Sequence, residues 1–404
     1  MNKLFWPTKK IGDLFNVQLG KMLNQKARQG DLLPYLANFN VRWGAFDLSR
    51  LNEMTFSEKE RTKFSLCSGD LLMCEGGEIG RCAVWKETKE DIYYQKALHR
   101  LRPLNQDITT EFIYYYMQHI ASKGELPKLV GETSIAHLTR EKLLCLRVPV
   151  PTTQEQTAIT SLLSTWDQAI EKTELLISAK EKQLNALSQN LLTGNKRVKG
   201  YSEKWQKYRL HEVLTEHREV SSGREEVYSV SVHKGLINQI EHLGRVFAAK
   251  DTSNYNLVKP GDVVYTKSPT GEFSYGIVKQ SRIEFSVIVS PLYGVFTPRS
   301  QQLGTFLNFY FESPSRTANY LVPIIQKGAK NTISITNSTF LSNNLYLPTC
   351  DEETKAIANI LNTARLEIDL LKKQAEAFRR QKRGLMQKLL TGVWRVKVSK
   401  ETLQ

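Results

Sequence analysis

The 404-residue sequence is poor in cysteine: five residues, Cys67, Cys74, Cys82, Cys145 and Cys350, with no Cys-x-x-Cys pair and an odd total. That count excludes a disulfide framework and a structural zinc site, and suits reduced thiols in a cytoplasmic protein. No apolar run is long enough to span a bilayer, and Met1-Asn2-Lys3-Leu4-Phe5-Trp6 does not read as a secretory signal, so no membrane role is expected. Phosphate-loop glycines followed by Gly-Lys-Ser/Thr are missing, as are His-Glu-x-x-His, an evident Ser–His–Asp arrangement and an Asn/Asp-Pro-Pro-aromatic methyltransferase motif. ATP hydrolysis, zinc hydrolysis and base methylation are therefore not visible in this chain, and no catalytic residue, metal ligand or bound cofactor is assigned. The sequence is also short of acid, with 41 Asp+Glu against 56 Lys+Arg and a formal net charge of +15. An excess of that size favours a polyanionic partner, nucleic acid first.

What is present is said twice. Leu191-Leu192-Thr193-Gly194 returns 198 residues later as Leu389-Leu390-Thr391-Gly392, and Arg197-Val198-Lys199 as Arg395-Val396-Lys397. Pro151-Thr152 is answered by Pro348-Thr349, and Trp6, Ile11 and Asp13 by Trp205, Leu210 and Glu212. Gly69-Asp70-Leu71-Leu72 corresponds to Gly261-Asp262-Val263-Val264, and Phe112-Ile113-Tyr114-Tyr115-Tyr116 to Phe306-Leu307-Asn308-Phe309-Tyr310. A repeat spanning half the chain means two copies of one unit, not a solenoid. Between the anchors the copies differ freely, as expected of one scaffold carrying two surfaces.

Two segments have strong helical periodicity. Over 154–191 the apolar residues Ile159, Leu162, Leu163, Trp166, Ile170, Leu176, Ile177, Leu184, Leu187 and Leu191 step by threes and fours. Over 356–390 the stripe is Ile357, Ile360, Leu361, Ala364, Ile368, Leu371, Ala375, Phe378, Leu385 and Leu389. Such stripes predict long helices that bury one face against a partner, and pairing with each other is the economical solution. Pro151 and Pro348 mark the starts, with Glu155 and Asp351-Glu352-Glu353 suited to the positive N-terminal end; Gly194 and Gly392 mark the stops. The stretches 1–150 and 201–347 look mixed. Short β-branched runs such as Val263-Val264-Tyr265 and Phe285-Ser286-Val287-Ile288-Val289 alternate with turns, and 111–120 and 304–312 read as helices. The expected fold is α+β: two homologous mixed domains (1–150 and 201–347), alternating with helical regions (151–200 and 348–404) that pair as an antiparallel coiled coil.

This ordered set resembles the specificity subunit of type I restriction–modification systems, over essentially the whole chain. The resemblance rests on Gly69-Asp70-Leu71-Leu72 with Gly76-Gly77-Glu78-Ile79-Gly80-Arg81, on Pro260-Gly261-Asp262-Val263-Val264-Tyr265-Thr266-Lys267-Ser268, on Val289-Ser290-Pro291-Leu292-Tyr293, and on Pro151-Thr152-Thr153-Gln154-Glu155-Gln156. The second helix start departs from that pattern, reading Pro348-Thr349-Cys350-Asp351-Glu352-Glu353. The resemblance implies two target recognition domains, each reading half of a split, asymmetric site in double-stranded DNA, with no catalysis by this chain. It also implies two methyltransferase subunits and restriction/translocase subunits as partners, with S-adenosylmethionine, ATP and Mg belonging to them. Exposed parts of the helices and the regions of Pro151 and Pro348 are the expected docking surface.

Base edges are read by Arg, Lys, Asn, Gln, Glu and Ser, and phosphates by Lys and Arg. Loops that differ between the copies offer Lys21, Lys26, Arg28, Arg42, Trp43, Glu75, Gly76, Gly77, Glu78, Arg81, Gln95 and Lys96 in the first. The second offers Lys267, Ser268, Tyr275, Lys327, Lys330 and Asn331. Against each stands the reading of a solvated surface charge. Two other functions stay open. Asp70 with Glu87-Thr88-Lys89 has the spacing of some Mg-dependent nucleases, and a protein-only coiled-coil scaffold would leave the charge incidental.

Overall fold

A computed structural model describes residues 6–23, 32–87, 91–127, 137–240, 251–327 and 333–397. Two compact units divide the chain, residues 1–174 with 373–404, and residues 175–372. The boundaries fall inside the two long helices, whereas the sequence suggested boundaries at the helix starts.

The first unit is built on a four-stranded antiparallel sheet in the order Phe15–Leu19, Leu98–Pro103, Leu71–Cys74, Cys82–Val84. The strand Leu71-Leu72-Met73-Cys74 is apolar throughout because both its faces are covered. Leu71 and Met73 face the core that holds Ile113 and Met117 of helix Thr110–Ser122, while Leu72 and Cys74 face a second core around Trp85 and Tyr94. Side chains alternate along a strand, so a sheet covered twice reads as one continuous apolar run. A two-stranded pair, Thr8–Lys10 with Arg147–Pro149, joins the start of the unit to the start of the first long helix. A three-stranded sheet, Asn52–Thr55, Leu32–Leu36, Tyr93–Tyr94, carries the second core.

The second unit has a four-stranded antiparallel sheet of the same order: Leu214–Glu216, Gly294–Pro298, Val263–Tyr265, Val278–Gln280. Val263 and Tyr265 enter one core and Val264 another, repeating the alternation. Helix Gln301–Phe311 covers the sheet, and Gln206–Arg209 pairs with Asn344–Leu347. Its additions differ: a hairpin, Tyr228–Ser231 with Gly235–Asn238, and a pair, Asn256–Val258 with Val287–Val289.

The turn before the central strand is built alike in both units. Asp70 accepts from Cys67 N at 2.8 Å, and Asp262 from Lys259 N at 2.8 Å; both carboxylates are buried. Gly69 and Gly261 adopt φ of +91° and +87°, a left-handed turn that favours glycine. The partner of the aspartate differs. Arg102 grips both oxygens of Asp70 at 2.7 Å, whereas Asp262 meets His217 Nε2 at 3.0 Å and Thr297 Oγ1 at 2.8 Å.

The long helices, Thr153–Leu191 and Asp351–Leu389, each run 39 residues, about 58 Å at 1.5 Å per residue. Thr152 and Glu155 form the reciprocal capping box that starts the first, with Glu155 N donating to Thr152 Oγ1 at 3.3 Å and Thr152 N to Glu155 Oε2 at 3.2 Å. Gly194 and Gly392, at φ +73° and +71°, end the two helices. The amides of Lys196 and Trp394 reach back six residues to the carbonyls of Asn190 and Lys388, which satisfies carbonyls the helix leaves unpaired.

Within the first unit, Ile159, Leu163, Met386, Leu389 and Leu390 share one core, and the Trp166 ring meets Phe378 edge-on at 5.7 Å. Lys382 donates to Asp167 at 2.5 Å beside the Tyr115 ring. In the second unit Leu184, Leu191, Ile357, Leu361 and Ile368 are buried together with Leu187 packed against them, while Lys180–Glu367 and Glu181–Lys372 pair at 2.7 Å. Ile170 and Leu371 are half-buried. Leu162, Leu176 and Ile360, expected on the paired faces, are instead 40%, 43% and 36% exposed. The neighbours Leu163 and Leu361 occupy the buried positions, because a 3.6-residue turn carries a strict heptad off the seam.

Candidate nucleic-acid interface

In the first unit the register brings two loops to one end of the four-stranded sheet. Leu98 pairs with Cys74, so the loop after Cys74 lies beside the loop before Leu98; Glu75 N donates to Ala97 O at 2.9 Å and ties them. These loops carry Glu75–Arg81 and Gln95–Lys96. Gly77, at φ +74°, allows the sharp turn, and a side chain on Gly76 would clash at 2.9 Å with His137 Nδ1.

A polar cluster locks the 75–81 loop. Trp43 Nε1 donates to Glu78 Oε1 at 2.5 Å, Arg81 Nη1 to Glu78 Oε2 at 3.2 Å, and Arg81 Nη2 to Asn38 Oδ1 at 2.7 Å. Asn38 Nδ2 closes the ring on Gly76 O at 2.7 Å. Trp43, Gly76, Gly77, Glu78 and Arg81 thus come together. Asn38, which closes the cluster, and His137, which packs beside Gly76, were not among the candidates. Neither stands in a motif; only the fold places them here. The other chemistry this preset geometry offers is an exposed Glu78 carboxylate held in place by two donors, able to accept from a cytosine amino group.

Other candidates are placed differently. Lys96 is exposed and Gln95 half-buried, both at the same sheet end. Arg42 is exposed and 4.0 Å from Asp47. Lys21 is turned inward: its Nζ donates to Glu60 Oε2 at 2.8 Å and to Thr55 O, and lies over the Phe56 ring, so its charge braces the small sheet. Lys26 and Arg28 lie outside the described residues.

The second unit presents the corresponding sheet end. Lys267 and Ser268 follow strand Val263–Tyr265 after Thr266, and Tyr275 is held nearby through its carbonyl, which accepts from Tyr265 OH at 2.6 Å. Gly276 lets the two arms close up: a Cβ there would stand 2.8 Å from Lys267 N. Lys267 itself has φ +60°, a left-handed conformation unusual for a lysine. Its partial burial lowers the ammonium pKa, against an opposing pull from Glu216. Lys327 lies in a short strand, Gln326–Lys327, paired with Ile333–Ser334, while Lys330 and Asn331 fall outside the described residues.

The nuclease reading meets a direct obstacle. Both Asp70 oxygens are occupied by Arg102, and Thr88 and Lys89 lie outside the described residues. Among the described residues there is no group of three or more His, Cys, Asp or Glu placed to hold a metal, and no helix long and apolar enough to cross a membrane.

Residues 5–180 match the family described as type I restriction modification DNA specificity domain. Over 97% of its length the chain is 22% identical to the putative type I restriction enzyme MjaX specificity subunit of Methanocaldococcus jannaschii, covering 94% of that protein. It is 23% identical to the MjaVIII specificity subunit of the same organism, over 97% of this chain and 93% of the relative. Among solved structures, the S subunit of the type I system of M. genitalium aligns with a TM-score of 0.59 at 15% identity, over 96% of this chain and 97% of that one. The HsdS subunit of Thermoanaerobacter tengcongensis aligns with a TM-score of 0.51, also at 15% identity, over 97% and 98%. The specificity-domain match over residues 5–180 and the likeness to these subunits along nearly all its length make the chain similar to type I restriction–modification specificity subunits.

Proposed function

We propose that this chain is the non-catalytic subunit that reads a bipartite, asymmetric DNA site for partner methyltransferase and restriction subunits. The observation that carries the reading is the pair of four-stranded sheets with one strand order whose corresponding ends bear different side chains. One end offers Trp43, Glu75, Glu78, Arg81, Gln95 and Lys96, the other Lys267, Ser268 and Tyr275. Two homologous target recognition domains with different reading loops would recognise different half-sites, and the long helices between them, paired antiparallel as a coiled coil, would set the spacing, as half-site separation follows protein geometry. The net charge of +15 supplies the sequence-independent attraction to phosphate. Leu366 and Leu370, one turn apart and 58% and 56% exposed, are apolar positions suited to partner docking. S-adenosylmethionine, ATP and Mg would then be bound by the partners.

A genome-wide map of DNA methylation, made in the host with and without this reading frame, tests the proposal. Loss of methylation at one split, asymmetric motif is the expected result. Unchanged methylation, together with DNA binding by the purified chain that is absent or insensitive to salt, would give the scaffold reading the lead.

A further inference from the structure

The second unit contains a cationic cavity that the fold does not require. In the sheet register, Lys279 stands opposite Val264 just as Ala83 stands opposite Leu72 in the first unit. The scaffold therefore packs well with a methyl group at this position, yet here it buries an ammonium that is only 5% exposed. Burying a charge is costly and needs compensation. Glu312 is the carboxylate that answers it, at 3.2 Å, but Glu312 is shared with Arg365 at 2.6 Å.

Within the cavity itself cations outnumber carboxylates, although Glu284 and Asp369 line the adjoining groove beside Arg282 and Arg365. A cavity of about 280 Å³ is lined by Lys234, Lys279, Arg282 and Arg365, with Glu312 as its one carboxylate and His233 at its rim. Arg282 and Arg365 converge on one ring, their guanidinium carbons 6.0 and 5.3 Å from the Phe309 centroid. Among the described residues the hydrogen-bond partner of Arg282 is the neutral Asn362 amide, at 3.3 Å. Arg365 Nε is buried with no partner among the protein atoms, although its other end holds Glu312. Gln280 and Asn308 are fully engaged in bracing the wall: Gln280 donates to Gly261 O and Gln301 O, and Asn308 donates to Glu312. Burial lowers the Lys279 pKa, with Glu312 pulling the other way.

We propose that Lys279, Arg282 and Arg365 form a binding site for the phosphoryl group of a small phosphorylated molecule. Guanidinium forks match phosphate oxygens in pairs, and an ammonium adds a point charge. The cavity is at the small end of ligand pockets, which suits inorganic phosphate or a compact phosphate ester, and a duplex cannot reach the buried Lys279. This site is separate from the loops proposed to read DNA and does not depend on that reading.

The test is calorimetric titration of the purified full chain with inorganic phosphate, pyrophosphate and ATP at constant ionic strength, with thermal melts alongside. Binding of at least one probe and a raised melting transition are expected. In the Arg282→Gln/Arg365→Gln variant, with an unchanged circular dichroism spectrum, affinity should fall at least tenfold. The exposed Arg282→Gln change alone gives a smaller loss and covers the case in which the double variant fails to fold. No binding by any probe would overturn the proposal, as would binding that survives the substitutions. Absent phosphate binding with a shallower salt dependence of DNA binding in Arg282→Gln would overturn it too, and assign the cation to the DNA backbone.

Discussion

Arg395 and Glu155 are 240 positions apart in sequence and 2.6 Å apart in space. The guanidinium also lies over the Trp6 ring, 5.3 Å from its centroid, so the end of the second helical region clamps the start of the first long helix. The second unit repeats the device with Arg197, Glu353 and Trp205: two N–H···O bonds of 2.6 Å, and the guanidinium 5.7 Å from the indole. Burial works to raise the Glu155 carboxyl, but the contacts with Arg395 and Thr152 outweigh it and hold it below its ordinary range.

Removing either arginine leaves a buried carboxylate without its partner. Arg197→Met should cost about 3 kcal/mol, since Glu353 is 1% exposed. Arg395→Met should cost less, about 1 kcal/mol, because that guanidinium is 44% exposed and screened by solvent. Urea unfolding of each variant measures both, and equal losses would contradict the exposure argument.

Asp70→Asn should act on folding. The amide cannot accept Arg102 on both oxygens, and a loss of about 2–4 kcal/mol is expected from a buried charge partner. A variant with unchanged stability and lost Mg-dependent DNA cleavage would restore the nuclease reading.

His99 gives the first unit a pH dependence. Its Nε2 meets Leu138 O at 2.9 Å, its Nδ1 is buried without a partner, and burial pushes its pKa below the ordinary 6.5. Burial also lowers His119, with Lys123 adding to the effect. The unfolded chain therefore binds protons before the folded one as pH falls, so stability present above about 6.5 drains away below it. The slope is at most about 1.4 kcal/mol per pH unit for each histidine. Urea midpoints between pH 8 and 5.5 should fall, and His99→Leu should flatten the curve.

Lengthening both long helices by four residues should add about 6 Å, on the order of two base pairs. The methylated motif should keep both half-sites and gain spacer. A motif with altered half-sites would contradict the spacing role of the helices.

Much of this was legible in the sequence, for identifiable reasons. The long helices were, since Ile159 to Leu191 and Ile357 to Leu389 repeat at the helical period and Gly194 and Gly392 stop them. The central strands were too, because Gly-Asp precedes each. The split of the chain was not: which core receives Leu163 or Met386 is decided by packing between residues more than 200 positions apart. The loop 75–81 announced itself through its glycines, while Asn38 carries no local signal. Lys21 read as a free charge because its partner Glu60 is 39 positions away. Lys279 sat unnoticed in a strand, where a lone lysine looks like an edge residue.

The unit boundaries also impose an order on synthesis. Residues 175–372 are continuous and become available together, so the second unit can close as soon as Lys372 has left the ribosome. The first unit begins earlier but waits longest, because its core includes Met386, Leu389 and Leu390 from the far end of the chain. Until those arrive, the apolar faces around Ile159 and Leu163 stay uncovered. The earliest-made half is therefore the last to finish, and the one most in need of protection while it waits.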